Sequence, residues 1–188
     1  MSPDARILRA DARRNRGRLL QAAREVFAEQ GVETALEDVA RRSGLGIGTL
    51  YRHFPTREAL VGAVYSHAVE QLAASADRLL EEVPPGEALR AWLALFVDYL
   101  ATKKVIAPAL NAMAGGASGL YATSGGVMRA AVSRLVRAGV AAGELRPDIE
   151  PEDVMQALAG LAYGSGEAGW RERALRLADV LTLGLRAN

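Results

Sequence analysis

Hydrophobic positions recur along this chain at intervals of three and four residues, and no convincing run alternates at two. That period belongs to helices that bury one face. In "GRLLQAAREVFAEQG" Leu19, Leu20, Ala23, Val26 and Phe27 share a face, and Gly31 follows as a helix terminator. "TALEDVARRSG" turns Leu36, Val39 and Ala40 inward and ends at Gly44. Thr34 and Glu37 have capping-box spacing, so that helix is expected to start there. "IGTLYRHF" reads as another short helix, stopped by Phe54-Pro55, after which Thr56 caps a long amphipathic helix that runs to Pro84-Pro85-Gly86.

A second group of helices follows. "GEALRAWLALFVDYLATKK" places Leu89, Trp92, Leu93, Phe96, Tyr99 and Leu100 inward, and Pro108 is expected to restart the chain as a short piece. Gly115 to Gly126, rich in glycine, serine and alanine, reads as the one loop of real length. "VMRAAVSRLVRAGVAAG" is helical again and closes at Gly143. A turn containing Pro147 leads into "VMQALAGLAYGSG" and "WRERALRLADVLTLGL". About nine helices with short connections predict an all-α fold.

Composition narrows the picture. The chain has 188 residues, half of them hydrophobic and 24% charged, as expected of a globular protein with a core. It has no cysteine, which excludes disulfides, Cys-based zinc sites and thiol nucleophiles and suits a cytoplasmic setting. The arginine-rich start lacks the apolar core of a signal peptide, and no apolar run is long enough for a membrane span. With two histidines, a metal site has little to build on, and no cofactor is expected.

Charge is unevenly placed. Residues 1–60 hold eleven arginines against eight acidic residues, whereas the remainder has fewer basic than acidic side chains. Between residues 6 and 18, Arg6, Arg9, Arg13, Arg14, Arg16 and Arg18 face only Asp11. A basic front on an acidic body is the layout of a protein that touches a polyanion at one end, although such a run can also be a solvated tail.

The stretch "GLGIGTLYRHFPTREAL", with Gly44, Gly46 and Gly48 at alternate positions, raises the question of a phosphate-binding loop. Such a loop needs a strand before it and a different glycine spacing; here the helix "LEDVARRS" precedes it. The pattern fits a helix-turn-helix instead. The first helix is about Ala35–Ser43, the turn Gly44-Leu45-Gly46 and the second helix Ile47–His53. Leu36, Val39, Leu45 and Leu50 form the seam, and Phe54 is core. Thr49, Tyr51, Arg52 and His53 are left to point outward, and Gly48 lets a partner approach the backbone closely. A tyrosine hydroxyl beside an arginine and a histidine makes a phosphate-contacting cluster.

Over the first 60 or so residues the chain resembles the DNA-binding domain of the TetR family of transcriptional regulators. The resemblance lies in "LLQAAREVFAEQG", in "DVARRSGLGIGTLYRHFPTREAL", and above all in Tyr51-x-His53-Phe54 followed by Arg57-Glu58-x-Leu60. It implies a three-helix DNA-binding domain over residues 1–55, of which 1–10 are expected to be a disordered arm. A six-helix domain that binds an effector and dimerises would occupy residues 56–188. It also implies that Thr49 meets a base edge or a thymine methyl, while Tyr51, His53 and Arg57 bind phosphate; the charge pattern adds Arg13, Arg14 and Arg52 as candidate DNA contacts. Ala35 stands where the family usually has Ser or Thr, so Thr34 is the candidate to replace that cap and contact. The partners implied are a double-stranded DNA operator, a small-molecule effector and a second copy of the chain, with no membrane. Repression is the family default.

For the effector pocket the resemblance combines with the aromatic spacing. Tyr65, Trp92, Phe96, Tyr99, Met113, Tyr121 and Met128 are candidates to line a site for an apolar or aromatic molecule, ordinary core being the alternative for each. His67 and Asp98 are the polar residues expected inside. The last two helices offer stripes of Val154, Leu158 and Leu161, and of Ala174, Leu177, Ala178, Leu181 and Leu185, as a two-fold four-helix interface. No catalytic constellation emerges. A helical ligand-binding protein or an enzyme without specific DNA binding is the alternative reading.

Overall fold

In a computed structural model, which describes residues 3–113, 116–162 and 167–187, the side chains of residues 3–9 excepted, eight helices carry the chain. They are α1 (Pro3–Gln30), α2 (Leu36–Ser43), α3 (Ile47–His53), α4 (Arg57–Glu82), α5 (Pro85–Ala112), α6 (Ser118–Ala141), α7 (Pro151–Ala162) and α8 (Trp170–Gly184). The fold is all-α. The chain divides into two compact units: residues up to His67 with Val105–Ala117, and Ala68–Lys104 with the residues from Ser118 onward.

In the first unit the predicted faces are the buried ones. Leu19, Leu20, Ala23, Val26 and Phe27 of α1, Leu36, Val39 and Ala40 of α2, and Leu50 and Phe54 of α3 are all buried. Gly31 ends α1 with φ at +82°, its N–H donating to the Phe27 carbonyl at 2.9 Å. Gly44 ends α2 at φ +67°, and the Leu45 N–H returns to the Ala40 carbonyl at 3.1 Å. A left-handed glycine is what allows so sharp a stop. Thr56 caps α4 as expected, its Oγ1 accepting from the Ala59 N–H at 3.1 Å.

In the second unit both tryptophans are buried and both indoles are satisfied. Trp92 Nε1 donates to the Leu72 carbonyl at 2.8 Å, and Trp170 Nε1 to the Leu161 carbonyl at 2.9 Å. Helices α5 and α8 run antiparallel, because Arg90 pairs with Asp179 (2.8 Å) while Asp98 pairs with Arg171 (2.7 Å). Gly139 of α6 is buried because the Leu145 side chain lies where a Cβ would stand. The chain end is pinned by an isolated antiparallel bridge between Leu145 and Arg186.

Several expectations change. The Thr34–Glu37 capping box does not form: α2 starts at Leu36 with Ala35 at the cap position, and no side chain caps it. Thr34 stands one residue too early, and its hydroxyl donates to Gln30 Oε1 at 2.7 Å. Helix α1 begins at Pro3, so the arginine run continues a helix where an arm at 1–10 was expected. Pro108 does not restart the chain but lies inside α5. A proline in a helix costs about 3 kcal/mol. Ile106 and Leu110 on either side of it are fully buried, worth about 1.5–3 kcal/mol each, which offsets that cost. Five helices therefore follow α3 among the described residues, not six. Most of the expected 115–126 loop is the first half of α6, whose Ser124 and Met128 are buried, though Gly115 lies outside the described residues. The Tyr163–Gly166 end expected of the seventh helix also lies outside them. Asp98 is exposed in its pair with Arg171, not interior, because it stands opposite the Trp92–Phe96–Tyr99 face of α5.

Candidate nucleic-acid interface

Leu50 is the anchor of α3: it is fully buried, and with Phe54 it fixes the rotation of a helix only seven residues long. That rotation sets what is left outside. Gly48 and Arg52 are exposed, Tyr51 keeps 46% of its surface, and Thr49 and His53 are half-buried. Nothing lies within 4 Å of the position a Cβ would take at Gly48, so a partner can reach the α3 backbone there. The arrangement is a short helix with one buried rib and a polar, hydrogen-bonding outer face.

Arginines of α1 hold the two short helices. Arg18 Nη2 donates to the Ser43 carbonyl at 2.7 Å, at the end of α2. The Arg16 guanidinium lies over the Phe54 ring, 5.3 Å from its centroid, at the end of α3. Arg42 of α2 reaches back to Glu29 of α1 through two hydrogen bonds, 3.0 and 2.7 Å. The hydrogen bonds from Arg42 hold the Glu29 carboxyl below the usual carboxylate range, and the same pairing raises Arg42 further above the guanidinium range. Part of the basic front is thus structural, which its composition did not disclose. The periodicity did carry a hint, since Arg18 directly precedes the buried Leu19-Leu20 pair.

The remaining expected contacts are distributed as follows. Arg13 and Arg14 are exposed on α1; Arg14 is paired with Asp11, and Arg13 stands three residues before the Arg16 that touches Phe54. The run therefore emerges beside the end of α3. Arg57, the first residue of α4, donates from Nη1 to the Val32 carbonyl and ties the start of α4 to the α1–α2 connection. Thr34, in the same connection, is half-buried on Gln30. Glu58 is held below the usual carboxylate range by its own backbone N–H and then by the Thr56 hydroxyl.

The candidate effector residues fall in both units. Tyr65, Trp92 and Met128 are buried, Phe96 and Tyr99 keep 8% of their surfaces, and Met113 and Tyr121 are half-buried. Trp92 and Phe96 stack at 5.7 Å and 22°, and Phe96 and Tyr99 meet at 5.7 Å and 41°. His67 is half-buried. Of the candidate interface stripes, Val154, Leu158, Leu161, Ala174, Ala178 and Leu185 are packed inside the protomer, and Leu181 is half-buried. Leu177 is 53% exposed, in company with Val180 (64%) and Leu183 (60%), which lie outside the expected stripe. The interval 177, 180 carried that signal. No group of three or more metal-ligating side chains and no helix long and apolar enough to cross a membrane occurs among the described residues.

Residues 19–64 match the model of bacterial regulatory proteins of the tetR family, and residues 84–187 that of the C-terminal domain of SbtR-like transcriptional regulators. A TetR transcriptional regulator from Streptomyces coelicolor, SCO0520, is 46% identical over 92% of this chain and 99% of its own, with a TM-score of 0.83. A TetR regulatory protein from Mycobacterium vanbaalenii is 33% identical over 96% and 99%, with a TM-score of 0.78. The HTH-type transcriptional repressor Rv3405c of Mycobacterium tuberculosis is 41% identical over 70 residues, which is 37% of this chain. That match spans 35% of the relative's length.

Proposed function

The chain belongs to the TetR family of transcriptional regulators, and from that premise we propose that it is a repressor of a palindromic operator, released by a small apolar or aromatic effector. The observation that carries the reading is the outer face of α3, where Gly48, Tyr51 and Arg52 are exposed over the buried Leu50. Thr49 reads a base edge or a thymine methyl; Tyr51, Arg52 and His53 hold phosphates of the same groove, with Arg13 and Arg14 beside them. Arg57 has further N–H groups for a phosphate besides the one on Val32. Thr34 is the weakest member of the set, because its hydroxyl is engaged by Gln30. The similar Rv3405c of Mycobacterium tuberculosis is a transcriptional repressor, which supports repression.

The exposed Leu177, Val180 and Leu183 supply the apolar surface for a two-fold dimer, and two copies of α3 require an operator with two half-sites about one helical turn apart, or somewhat more. Helices α4 and α5 each contribute residues to both units, which supports a route from effector to DNA. Such coupling is typically worth ~1–3 kcal/mol. The test is selection of bound fragments from genomic DNA, followed by retardation of the selected duplex across a salt series. Log affinity should fall linearly with log salt, at a slope of about −0.9 per phosphate neutralised. Equal affinity for unrelated duplexes at every salt concentration would reject the reading.

A further inference from the structure

Lys103 is half-buried on α5, and its Nζ stands 4.9 Å from the centroid of the Tyr121 ring on α6. It forms no ion pair with a carboxylate among the described residues, whereas Arg90, Arg129, Arg134 and Arg171 of its unit each pair with a carboxylate on another helix. It also lies seven residues after Phe96 and four after Tyr99, on the aromatic face of α5. That face changes along its length: Trp92 is sealed, while Phe96 and Tyr99 each keep 8% of their surface open. Across from Lys103, Gly125 follows Tyr121 by one helical turn. It is half-buried, yet nothing lies within 4 Å of the place its Cβ would take. The missing side chain leaves open space beside the tyrosine.

We infer that Lys103 and Tyr121 form the polar end of the effector site, and that the effector is an amphipathic organic acid, with an aromatic or apolar body and one carboxylate. The inference rests on the ligand-responsive reading above and specifies its chemistry. The body of the ligand lies in the open space at Gly125 against Tyr121. The carboxylate takes the Lys103 ammonium, which among the described residues meets the weaker attraction of a ring face and no carboxylate. A neutral ligand of the same shape would leave that ammonium as it is and gain nothing from it.

Two naphthalene probes of matched skeleton test this on the full-length protein: anionic 1-anilinonaphthalene-8-sulfonate, its sulfonate standing in for the carboxylate, and neutral N-phenyl-1-naphthylamine. Binding is followed by probe fluorescence, and release by operator retardation at fixed ionic strength. The anionic probe should bind at least tenfold more tightly than the neutral one. Lys103→Met should remove that preference and Lys103→Arg should retain it, with the neutral probe's affinity within threefold throughout. Gly125→Leu should weaken both probes together, reporting the open space independently of the charge. If the neutral probe binds and lowers operator affinity while the anionic probe has no advantage, or keeps it in Lys103→Met, the assignment to Lys103 falls and the ligand-responsive reading stands. If neither probe binds, both fall.

Discussion

In the first unit, guanidinium groups tie helix ends to one another: Arg18 to the Ser43 carbonyl, Arg57 to the Val32 carbonyl, Arg42 to Glu29, and Arg16 to the Phe54 ring. In the second, the buried cross-ties are the indoles of Trp92 and Trp170, and the guanidinium pairs stay on the surface. The difference follows from helix length. Helices α2 and α3 have eight and seven residues, and α3 buries Leu50 alone, too little apolar area to fix its orientation. Directional bonds must do that. Helices of 24 and 28 residues, α6 and α5, bury enough to orient themselves. The surfaces differ in the same sense: among the described residues, the first unit exposes one large hydrophobe, Tyr51, whose hydroxyl suits phosphate, while the second exposes Leu95, Leu177, Val180 and Leu183.

The largest effect should come from removing an indole. Trp92 is fully buried with its N–H bonded, so Trp92→Ala should cost about 3–5 kcal/mol by urea unfolding. A loss under about 1 kcal/mol would mean that Trp92 borders an open cavity and that burial does not hold the second unit as argued.

Next in size is the apolar surface. Because Leu177 and Val180 are exposed in the protomer, Leu177→Glu or Val180→Glu should change its stability by no more than about 0.5 kcal/mol. Each should nevertheless give a monomer in sedimentation, since an unpaired charge in an interface costs several kcal/mol. Affinity for the two-half-site operator should collapse toward that for one half-site. A variant that stays dimeric at micromolar concentration would remove the contrast between the two surfaces.

A smaller effect separates the two kinds of arginine. A hydrogen bond from a charged donor is worth about 1.5–3 kcal/mol, so Arg18→Met should lower stability and operator affinity by that order. The slope of log affinity against log salt should stay unchanged. Arg13→Ala should leave stability alone and reduce the slope by about one phosphate's share. Identical slope changes in both would return Arg18 to the phosphate-contacting set.

How far the sequence revealed this molecule follows the same division. Local signals sufficed where a residue acts on its own helix: Gly31 and Gly44 as terminators, Thr56 as a cap, Leu50 and Phe54 as anchors. They failed where a distant neighbour decides. Pro108 stays helical because Ile106 and Leu110 are buried, and Thr34 is drawn to Gln30 instead of capping α2. In the site, the outward set on α3 was legible from the spacing around Leu50. The bracing roles of Arg16 and Arg18 were not, because both acceptors lie more than 20 residues away. Of the expected interface stripe on α8, Leu177 is exposed, whereas Ala174 and Ala178 are buried within the protomer. Ala174 and Ala178 occupy the neighbouring, buried stripe of the same helix, one step of rotation from Val180.

The smallest effect concerns acid. Glu29 is held below its ordinary value of 4.5 by Arg42, so the native state favours the ionised carboxylate. A group with a depressed native pKa contributes stability that is present above its unfolded value and lost as pH falls through the native one. Arg42 stays charged throughout, so the loss reports Glu29 alone in this pair. Both groups are exposed and screened, and the contribution is accordingly small. The gap in urea midpoint between wild type and Glu29→Gln should be widest near neutral pH and should close as pH falls below about 4.5. Glu58 is lowered in the same direction by α4's start, so Glu29→Gln alone will retain some acid sensitivity, and Glu29→Gln with Glu58→Gln less. A gap that stays constant with pH would show that the Arg42–Glu29 link does not orient α2 through charge, and the first unit would then rest on Arg18 and Arg16 for that task.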